Sequence, residues 1–241
     1  MTLAHTSHGY RRRRGANPLL APILLFVLIL TAAVGYVGYV LWPRWPDVPV
    51  APDAPAIPIV IGGTAFVIEP AAIRMPVQRH PGRQERVDLA YNWPSLLPAH
   101  AHEKPHEKPA PGTSPAPHVA TERLFVTIQT DDGTLAPIER VQTIYPRYLG
   151  PQPVAGPAGL TLRAFRDDTP YKDEELAFDP NAPAHFLARC ARHGAIGPGH
   201  CLLERRIGHA DVTFRFPRDW LNEWPKVADA IDALLKRVHA E

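Results

Sequence analysis

Residues 18–42 carry no charged side chain, and this apolar run constrains the chain more than any other feature of its sequence. At a rise of 1.5 Å per residue, a helix from Leu19 to Trp42 would be roughly 36 Å long, which exceeds the ~30 Å hydrocarbon core of a bilayer. Pro22 would lie in the first turn, where a missing N–H costs little. The run therefore predicts one transmembrane helix over residues 18–42, with the lipid bilayer as its partner.

The charges on either side of this run predict its orientation. Four arginines at 11–14 precede it, whereas only Arg44 follows closely. Because basic flanks are retained on the cytoplasmic side, we expect residues 1–17 to be a cytoplasmic tail and the rest of the chain to be periplasmic, in a bacterial inner membrane. The alternative is a cleavable signal peptide with the small residues 31–33 as its cleavage site. The apolar run continues well past that site, which favours a retained anchor.

Proline follows the apolar run with a regular period. The chain has 29 prolines among 241 residues, and six of them occur at positions 43, 46, 49, 52, 55 and 58. Polyproline II has three residues per turn, so these prolines would share one edge of an extended helix of about 46 Å. We predict a semi-rigid stalk over residues 43–58, and the alternative is an ordinary proline-rich linker whose period is accidental.

The remaining residues, 59–241, predict one folded domain of the α+β class. Short apolar or alternating runs bounded by turn residues indicate strands at 57–63, 64–69, 86–93, 124–130, 160–165, 185–190, 201–207 and 211–216. Helical spacing follows Pro137 and again Pro217, and Pro225 is expected to kink or split the last helix. We expect an antiparallel sheet, with a meander of its last three strands, and a C-terminal helix packed on it.

The two cysteines, Cys190 and Cys201, enclose ten residues. Exported cysteines oxidise, so we predict a disulfide between them. The alternative is a zinc site that also uses His193 and His200, although the adjacent residues His200 and Cys201 reach one tetrahedral ion with difficulty. The chain has no Cys-x-x-Cys motif, which argues against a disulfide oxidoreductase and against covalent haem.

Residues 98–118 are rich in histidine and proline and contain the tetrapeptide His-Glu-Lys-Pro twice. Imidazoles bind zinc, nickel and copper, and the candidate ligands are His100, His102, His106 and His118. We favour a disordered polar insertion between two strands, because its prolines oppose a compact cage and ordering a flexible segment costs entropy. We therefore assign no metal and no cofactor.

The sequence gives little support for catalysis. None of the three serines lies in a Gly-x-Ser-x-Gly elbow, and neither a P-loop nor Gly-x-Gly-x-x-Gly occurs. Acidic pairs occur at 131–132, 167–168 and 173–175, beside glycine, proline or further charges that favour solvated turns and faces. His209 and Asp211 are expected to form a turn pair and not a catalytic dyad. The tryptophans expected in the core, in preference to a sugar-binding platform, are Trp93, Trp220 and Trp224.

The charge balance argues against nucleic-acid binding. All 24 acidic residues but only 22 of the 26 basic residues lie beyond residue 42, so the exported part has a net charge of −2. A chain that binds nucleic acid through its surface presents a basic patch. We expect no nucleic-acid partner on that side of the membrane.

The chain contains a set of short segments in the order expected of one group of bacterial proteins: Gly62-Gly63, Ala72-Ile73-Arg74, Arg86 to Leu89, Trp93-Pro94, Tyr145 to Tyr148, Cys190, Cys201 and Arg215 to Pro217. In this order the chain resembles uncharacterised single-pass inner-membrane proteins of proteobacteria that have a periplasmic domain. The resemblance covers residues 60–225 loosely and implies an envelope location, and it implies no activity.

Together these patterns favour a non-enzymatic accessory or interaction protein of the cell envelope, tethered to the membrane and bound to another envelope protein. The first alternative is a metal-binding envelope protein that uses the histidine-rich insertion. The second is a hydrolase of envelope polymers that uses paired carboxylates, which would require an acidic pair converging in a deep pocket.

Overall fold

The computed structural model describes residues 20–41, 50–51, 53–99, 122–192 and 199–240. The chain divides into two compact units, residues 1–45 and 46–241. Helix α1 (Leu20–Leu41) belongs to the first unit and confirms the predicted apolar helix. Its stretch Pro22–Val40 has a mean hydropathy of 2.4, and no other helix in the described ranges is long and apolar enough to cross a bilayer. A signal sequence near the N-terminus can also meet this criterion of length and hydropathy, so the retained anchor stays a prediction.

The second unit contains twelve strands and three α-helices in its described parts. The strands are β1 (Ile57–Ile61), β2 (Thr64–Ile68), β3 (Gly82–Arg83), β4 (Arg86–Asn92), β5 (Leu97–Pro98), β6 (Arg123–Thr130), β7 (Val154–Ala155), β8 (Thr161–Ala164), β9 (Glu174–Phe178), β10 (Leu187–Ala191), β11 (His200–Ile207) and β12 (Ala210–Pro217). The helices are α2 (Pro137–Thr143), α3 (Tyr145–Tyr148) and α4 (Trp224–Val238), with 3-10 turns at Pro70–Ala72, Pro76–Gln78, Pro157–Gly159 and Arg218–Glu223.

Nine of these strands form one antiparallel sheet in the order β5-β4-β6-β12-β11-β10-β9-β8-β7. A smaller sheet has the order β2-β1-β3, in which β1 and β2 are antiparallel and β1 and β3 are parallel. The predicted meander is the run β10-β11-β12, and the predicted α+β class with an antiparallel sheet is confirmed. The two edge strands of the large sheet, β5 and β7, have only two residues each, which limits the edge available for pairing with another chain.

The main core lies on one face of the large sheet, where every second residue of the central strands is buried. In β6, for example, Leu124, Val126 and Ile128 point to this face, because side chains alternate along a strand. Helix α4 contributes Val227 and Ile231, both fully buried, to the same core. The predicted C-terminal helix thus packs on the sheet as expected.

Proline positions set the limits of the C-terminal helix. The chain leaves β12 at Pro217 and makes a 3-10 turn before α4 begins at Trp224. Pro225 is in the first turn of α4, where its missing N–H has no helical partner to lose. The predicted split of this helix at Pro225 is confirmed.

A second, smaller core lies on the opposite face and covers only part of it. There Tyr145 and Leu149, at the two ends of the α3 region, are buried with Phe165 and Leu176. Helices α2 and α3 thereby shield β8, β9 and β10 on this face. The outward face of β4, β6 and β12 remains open, together with β11 at Leu202, whereas α2 contacts β11 at Glu204. This open face forms the candidate site.

Two predicted boundaries need correction. Pro58, predicted to end the stalk, lies within β1 and pairs with Val67, so the folded unit begins earlier than expected. The Ala54 amide donates to the Ala51 carbonyl over 3.0 Å, so this part turns and is not an extended polyproline helix. Prolines 43, 46, 49 and 52 lie outside the described residues.

The insertion predicted over residues 98–118 also begins later than expected. Pro98 belongs to β5 and pairs with Tyr91, while Ala99 is buried and its amide donates to the Ala90 carbonyl. Residues 100–121 lie outside the described residues. The predicted disorder of residues 100–118 therefore stays a prediction.

Strand β9 was missed by the sequence analysis, because residues 173–175 were interpreted as a solvated charge run. Glu174 and Glu175 are its first two residues. The alternation of β9 places one carboxylate on each face of the sheet, and each of them pairs with an arginine. An acidic pair in sequence is therefore separated in space by the pleat of the strand.

Candidate binding groove

A groove of about 530 Å³ lies on the open face of the sheet, over β4, β6, β12 and β11. Its lining residues are Arg74, Arg86, Asp88, Phe125, Thr127, Gln129, Leu202, Thr213 and Arg215. Eight of these side chains come from the four strands, and the ninth, Arg74, precedes the 3-10 turn Pro76–Gln78 at one wall. The groove therefore has a floor of regular sheet and a mostly polar lining.

Strand register places these side chains in rows across the sheet. Asp88 pairs with Thr127, and Thr127 pairs with Thr213, which gives one row. Phe125 pairs with Arg215 in the next row on the same face. Directly opposed side chains on one face have Cβ atoms ~4.5–5.5 Å apart. Phe125 and Arg215 are thus close neighbours in the floor of the groove.

The single acid in the groove, Asp88, is fully occupied by its neighbours. Its carboxylate accepts hydrogen bonds from Arg86 (2.7 Å and 3.0 Å), Thr127 (2.9 Å) and Gln78 (3.2 Å). Burial raises the pKa of Asp88, but these hydrogen bonds outweigh it and hold the pKa below its ordinary value. Asp88 is consequently an ionised counter-charge for Arg86, unsuited to donate a proton as a general acid near neutral pH.

Two arginines of the groove, Arg74 and Arg215, have no acidic partner among the residues that the structure describes. Both side chains are exposed. The Arg74 guanidinium lies over the Phe125 ring, 4.8 Å from its centroid, which is a cation–π distance. The groove thus presents two uncompensated positive charges, one over the half-buried Phe125 ring and one beside it on β12.

Two arginines near the groove, Arg206 and Arg140, are each paired with an acid. Arg206 makes a two-point contact with the Asp211 carboxylate at 2.7 Å and 2.8 Å. Arg140 of α2 contacts Glu204 of β11 at 3.2 Å. Among the three arginines that line the groove, only Arg86 is paired with an acid, so the uncompensated charge of the groove is that of Arg74 and Arg215.

No protein-family model and no curated protein matches the chain. Among solved structures, the chain is similar to Smlt3025, an immunity protein of the Stenotrophomonas maltophilia type IV secretion system, with 14% identity and a TM-score of 0.48 over 78% of this chain and 94% of that one. It is also similar to FrpD, an iron-regulated outer membrane lipoprotein of Neisseria meningitidis, with 12% identity and a TM-score of 0.41 over 77% of this chain and 94% of that one. At this level of similarity neither neighbour bears on the activity of the chain.

The predicted disulfide is present between Cys190 and Cys201, which face each other across β10 and β11. Both cysteines are fully buried, at 0% exposure, in the main core. Because both sulfur atoms are used in the bridge, the alternative zinc site at these residues is wrong. His200 is half-buried at the start of β11, and His193 lies outside the described residues.

The four candidate metal ligands His100, His102, His106 and His118 lie outside the described residues. Their segment connects β5 to β6. Within the described ranges, no group of three or more histidine, cysteine, aspartate or glutamate side chains is arranged to hold a metal ion. Metal binding by the insertion stays a prediction.

The acidic pairs do not converge on a pocket in the described part of the chain. Asp167 contacts Arg192 and Asp168 contacts Arg166, each at 3.2 Å and at the surface. The Glu175 carboxylate forms an ion pair with Arg218. The Glu175 side chain is only 12% exposed and that of Arg218 only 10%. The prediction of a solvated charge run is wrong for Glu175, because Arg218 compensates its burial.

The remaining pair, Asp131 and Asp132, lies in the turn after β6, as predicted. Asp131 accepts from the Gly133 amide at 3.2 Å and contacts the His209 ring at 3.1 Å. The predicted turn pair of His209 with Asp211 is therefore wrong, since Asp211 is held by Arg206. The His209 side chain is 81% exposed, so this contact lies at the surface.

The three tryptophans pack against the main core, as predicted. Trp220 is 3% exposed and stacks on Trp93 with ring centroids 4.4 Å apart. The indole N–H of Trp220 donates to Glu122 and that of Trp224 donates to the Ala158 carbonyl, both over 3.0 Å. These rings stabilise the junction between the sheet and α4, and they form no open platform.

The groove could not be located from the sequence alone. The sequence feature related to the groove is the alternation of polar residues along β6 and β12, such as Thr127 and Gln129 in β6. Alternation indicates that one face is polar, but it does not indicate whether a helix covers that face. The rows of side chains also depend on strand order, which brings β4 beside β6 and β6 beside β12.

Proposed function

We propose that this chain is a membrane-anchored accessory protein of the bacterial cell envelope, whose periplasmic domain binds another envelope protein through the sheet groove and catalyses no reaction. The observation that carries the proposal is the uncompensated charge of Arg74 and Arg215 in an open groove. Charges without a partner lower stability through their mutual repulsion. A groove that retains them gains a counter-charge when a partner binds.

The anchor in this proposal is α1. Its length and hydropathy fit a bilayer, and the arginines at 11–14 favour a cytoplasmic N-terminus. The disulfide Cys190–Cys201 supports an oxidising compartment for the folded unit. A reporter that is active only in the periplasm, fused to the C-terminus, should be active. Activity of a cytoplasm-specific reporter at the same position would contradict this orientation.

Site-specific crosslinking in living cells tests the binding function. A photoreactive amino acid replaces Thr213 in the groove, and in a control chain it replaces the exposed Arg147 of α3, which does not line the groove. We expect a covalent adduct with a second protein from position 213 only, and we expect the double substitution R74Q/R215Q to abolish it. Equal adducts from both positions, or an adduct that survives R74Q/R215Q, would contradict the proposed function.

A further inference from the structure

The middle of the groove has no free backbone edge to offer. Its two central strands, β6 and β12, pair with neighbours on both sides over most of their length. A ligand therefore cannot be added as a further strand beside β6 or β12, and there it must be recognised by side chains. The side chains with charge to offer are Arg74 and Arg215.

The geometry of the groove fits a short extended segment. Four neighbouring strands span three inter-strand spacings of ~4.8 Å, or roughly 14 Å. An extended chain advances ~3.3 Å per residue, so about four residues cross this distance. A volume of about 530 Å³ lies within the range of small-ligand sites.

The chemistry of the lining favours carboxylates carried on an apolar chain. Guanidinium groups present planar donors that match carboxylates. Apolar side chains flank Arg215 on both sides in its row, because Arg215 pairs with Phe125 of β6 and with Leu202 of β11. Thr213 and Gln129 form no side-chain hydrogen bond with the rest of the described chain, and their polar groups can bind a ligand backbone. Acidic side chains alternating with apolar ones would satisfy this arrangement.

Other anionic occupants fit less well. Phosphate sites in proteins usually combine cations with backbone N–H groups at a helix N-terminus or in a nest, whereas this lining consists of strand side chains and Arg74. The chain's own insertion carries Glu103 and Glu107 but also Lys104 and Lys108, so it supplies no net negative charge.

We infer that the groove binds an extended acidic segment of a protein partner, in which aspartate or glutamate alternates with apolar residues. The inference rests on the proposed function and specifies its ligand. Arg74 and Arg215 hold two carboxylates, and the Phe125 ring contacts the apolar side chain between them. Asp88 and Arg86 remain paired, and the Asp88 carboxylate disfavours a third acidic side chain at that end.

Fluorescence anisotropy on the full chain in phosphatidylcholine nanodiscs tests this ligand class. The probe is a labelled octapeptide that alternates aspartate and leucine, and the matched probe alternates asparagine and leucine. We expect the aspartate peptide to bind at least tenfold more tightly than the asparagine peptide, and its binding to weaken as salt rises from 50 to 500 mM. Equal affinity for the two peptides would overturn the inference.

Variants then assign the binding to the groove. R74Q and R215Q should each weaken binding of the aspartate peptide roughly five- to tenfold, because each removes a charge-assisted contact that is partly open to solvent. R147Q is the matched control and should change it less than twofold. An equal loss in all three variants would overturn the inference, because it would reflect net charge alone. Thermal melts of the variants separate weakened binding from unfolding, and R215K should retain part of the affinity.

Three further outcomes name other occupants. Inorganic phosphate or phosphatidylglycerol vesicles that bind through the arginines at position 74 and 215, while the aspartate peptide does not, would overturn the ligand class. A dimer of the full chain that R74Q/R215Q dissociates would assign the groove to a second copy and also overturn it. If the aspartate peptide does not bind but the crosslinked adduct from position 213 forms, only the ligand class is refuted. If the adduct does not form, the proposed function is refuted as well.

Discussion

The disulfide Cys190–Cys201 should contribute a measurable and calculable part of the stability of the folded unit. The two cysteines are 11 residues apart, so the bridge closes a loop of twelve residues. In the chain-entropy model, closing a loop of this length restricts the unfolded chain by roughly 2.8 kcal/mol. In a domain of this size, each kcal/mol shifts the melting temperature by roughly 2–4 °C, so loss of the bridge should lower it by roughly 6–11 °C.

Urea unfolding of the full chain in a mild detergent, followed by tryptophan fluorescence, measures this contribution. The protein is compared oxidised, reduced, and as the double substitution C190A/C201A. We expect the reduced protein and the double variant to lose stability by similar amounts, with an added cost in the variant for the small cavity left in the core. The chain has only two cysteines, so reductant should not affect the variant. A loss below about 0.5 kcal/mol on reduction would refute the loop-closure reasoning.

Three other predictions follow from the packing and charges of the fold. Gly62→Ala should lower the free energy of unfolding by more than about 2 kcal/mol, because its φ is +57° and a Cβ would lie 2.0 Å from a backbone oxygen. Gly63→Ala, where no atom lies within 4 Å of the added Cβ, should lower it by about 1–2 kcal/mol. Urea unfolding measures both changes, and equal losses would contradict the steric argument. Arg218→Met should destabilise by about 3–5 kcal/mol, because it leaves the Glu175 carboxylate buried without a counter-charge; adding Glu175→Gln should recover part of the loss, and an additive loss would show that the two side chains are not coupled. Hydrogen bonds hold the pKa of Asp88 below its ordinary value of 3.8 against the effect of burial, so the ionised carboxylate stabilises the fold above that pH and this stabilisation is lost as the pH falls through the lower folded pKa. The melting temperature of Asp88→Asn should therefore fall less steeply than that of the parent between pH 5 and pH 2. Parallel curves of melting temperature against pH would contradict this.

Local sequence patterns predicted much of the architecture. Strands such as β6 and β12 alternate apolar and polar residues over eight positions, and this alternation depends only on the direction of successive side chains. The position of Pro225 predicted the start of α4 because proline excludes itself from the helix interior. The disulfide was predictable because only two cysteines exist and they end two neighbouring strands.

Short strands and charge pairing were not predictable in the same way. Strand β9 begins with two glutamates, and its strand character comes from pairing with β8 and β10 on either side. The burial of Glu175 depends on Arg218, which is 43 residues away in the chain and follows the end of β12. A local pattern cannot report a partner at that separation.

By itself, the sequence determined which segments are apolar, which strands have one polar face, and where the chain can turn. These properties arise from neighbouring residues and survive any arrangement of the strands. Only the tertiary structure decided that α2 and α3 cover one part of the polar face and leave the rest open. It also decided that Arg215 lies beside Phe125, because that contact depends on the register between β6 and β12, strands about 80 residues apart in the chain.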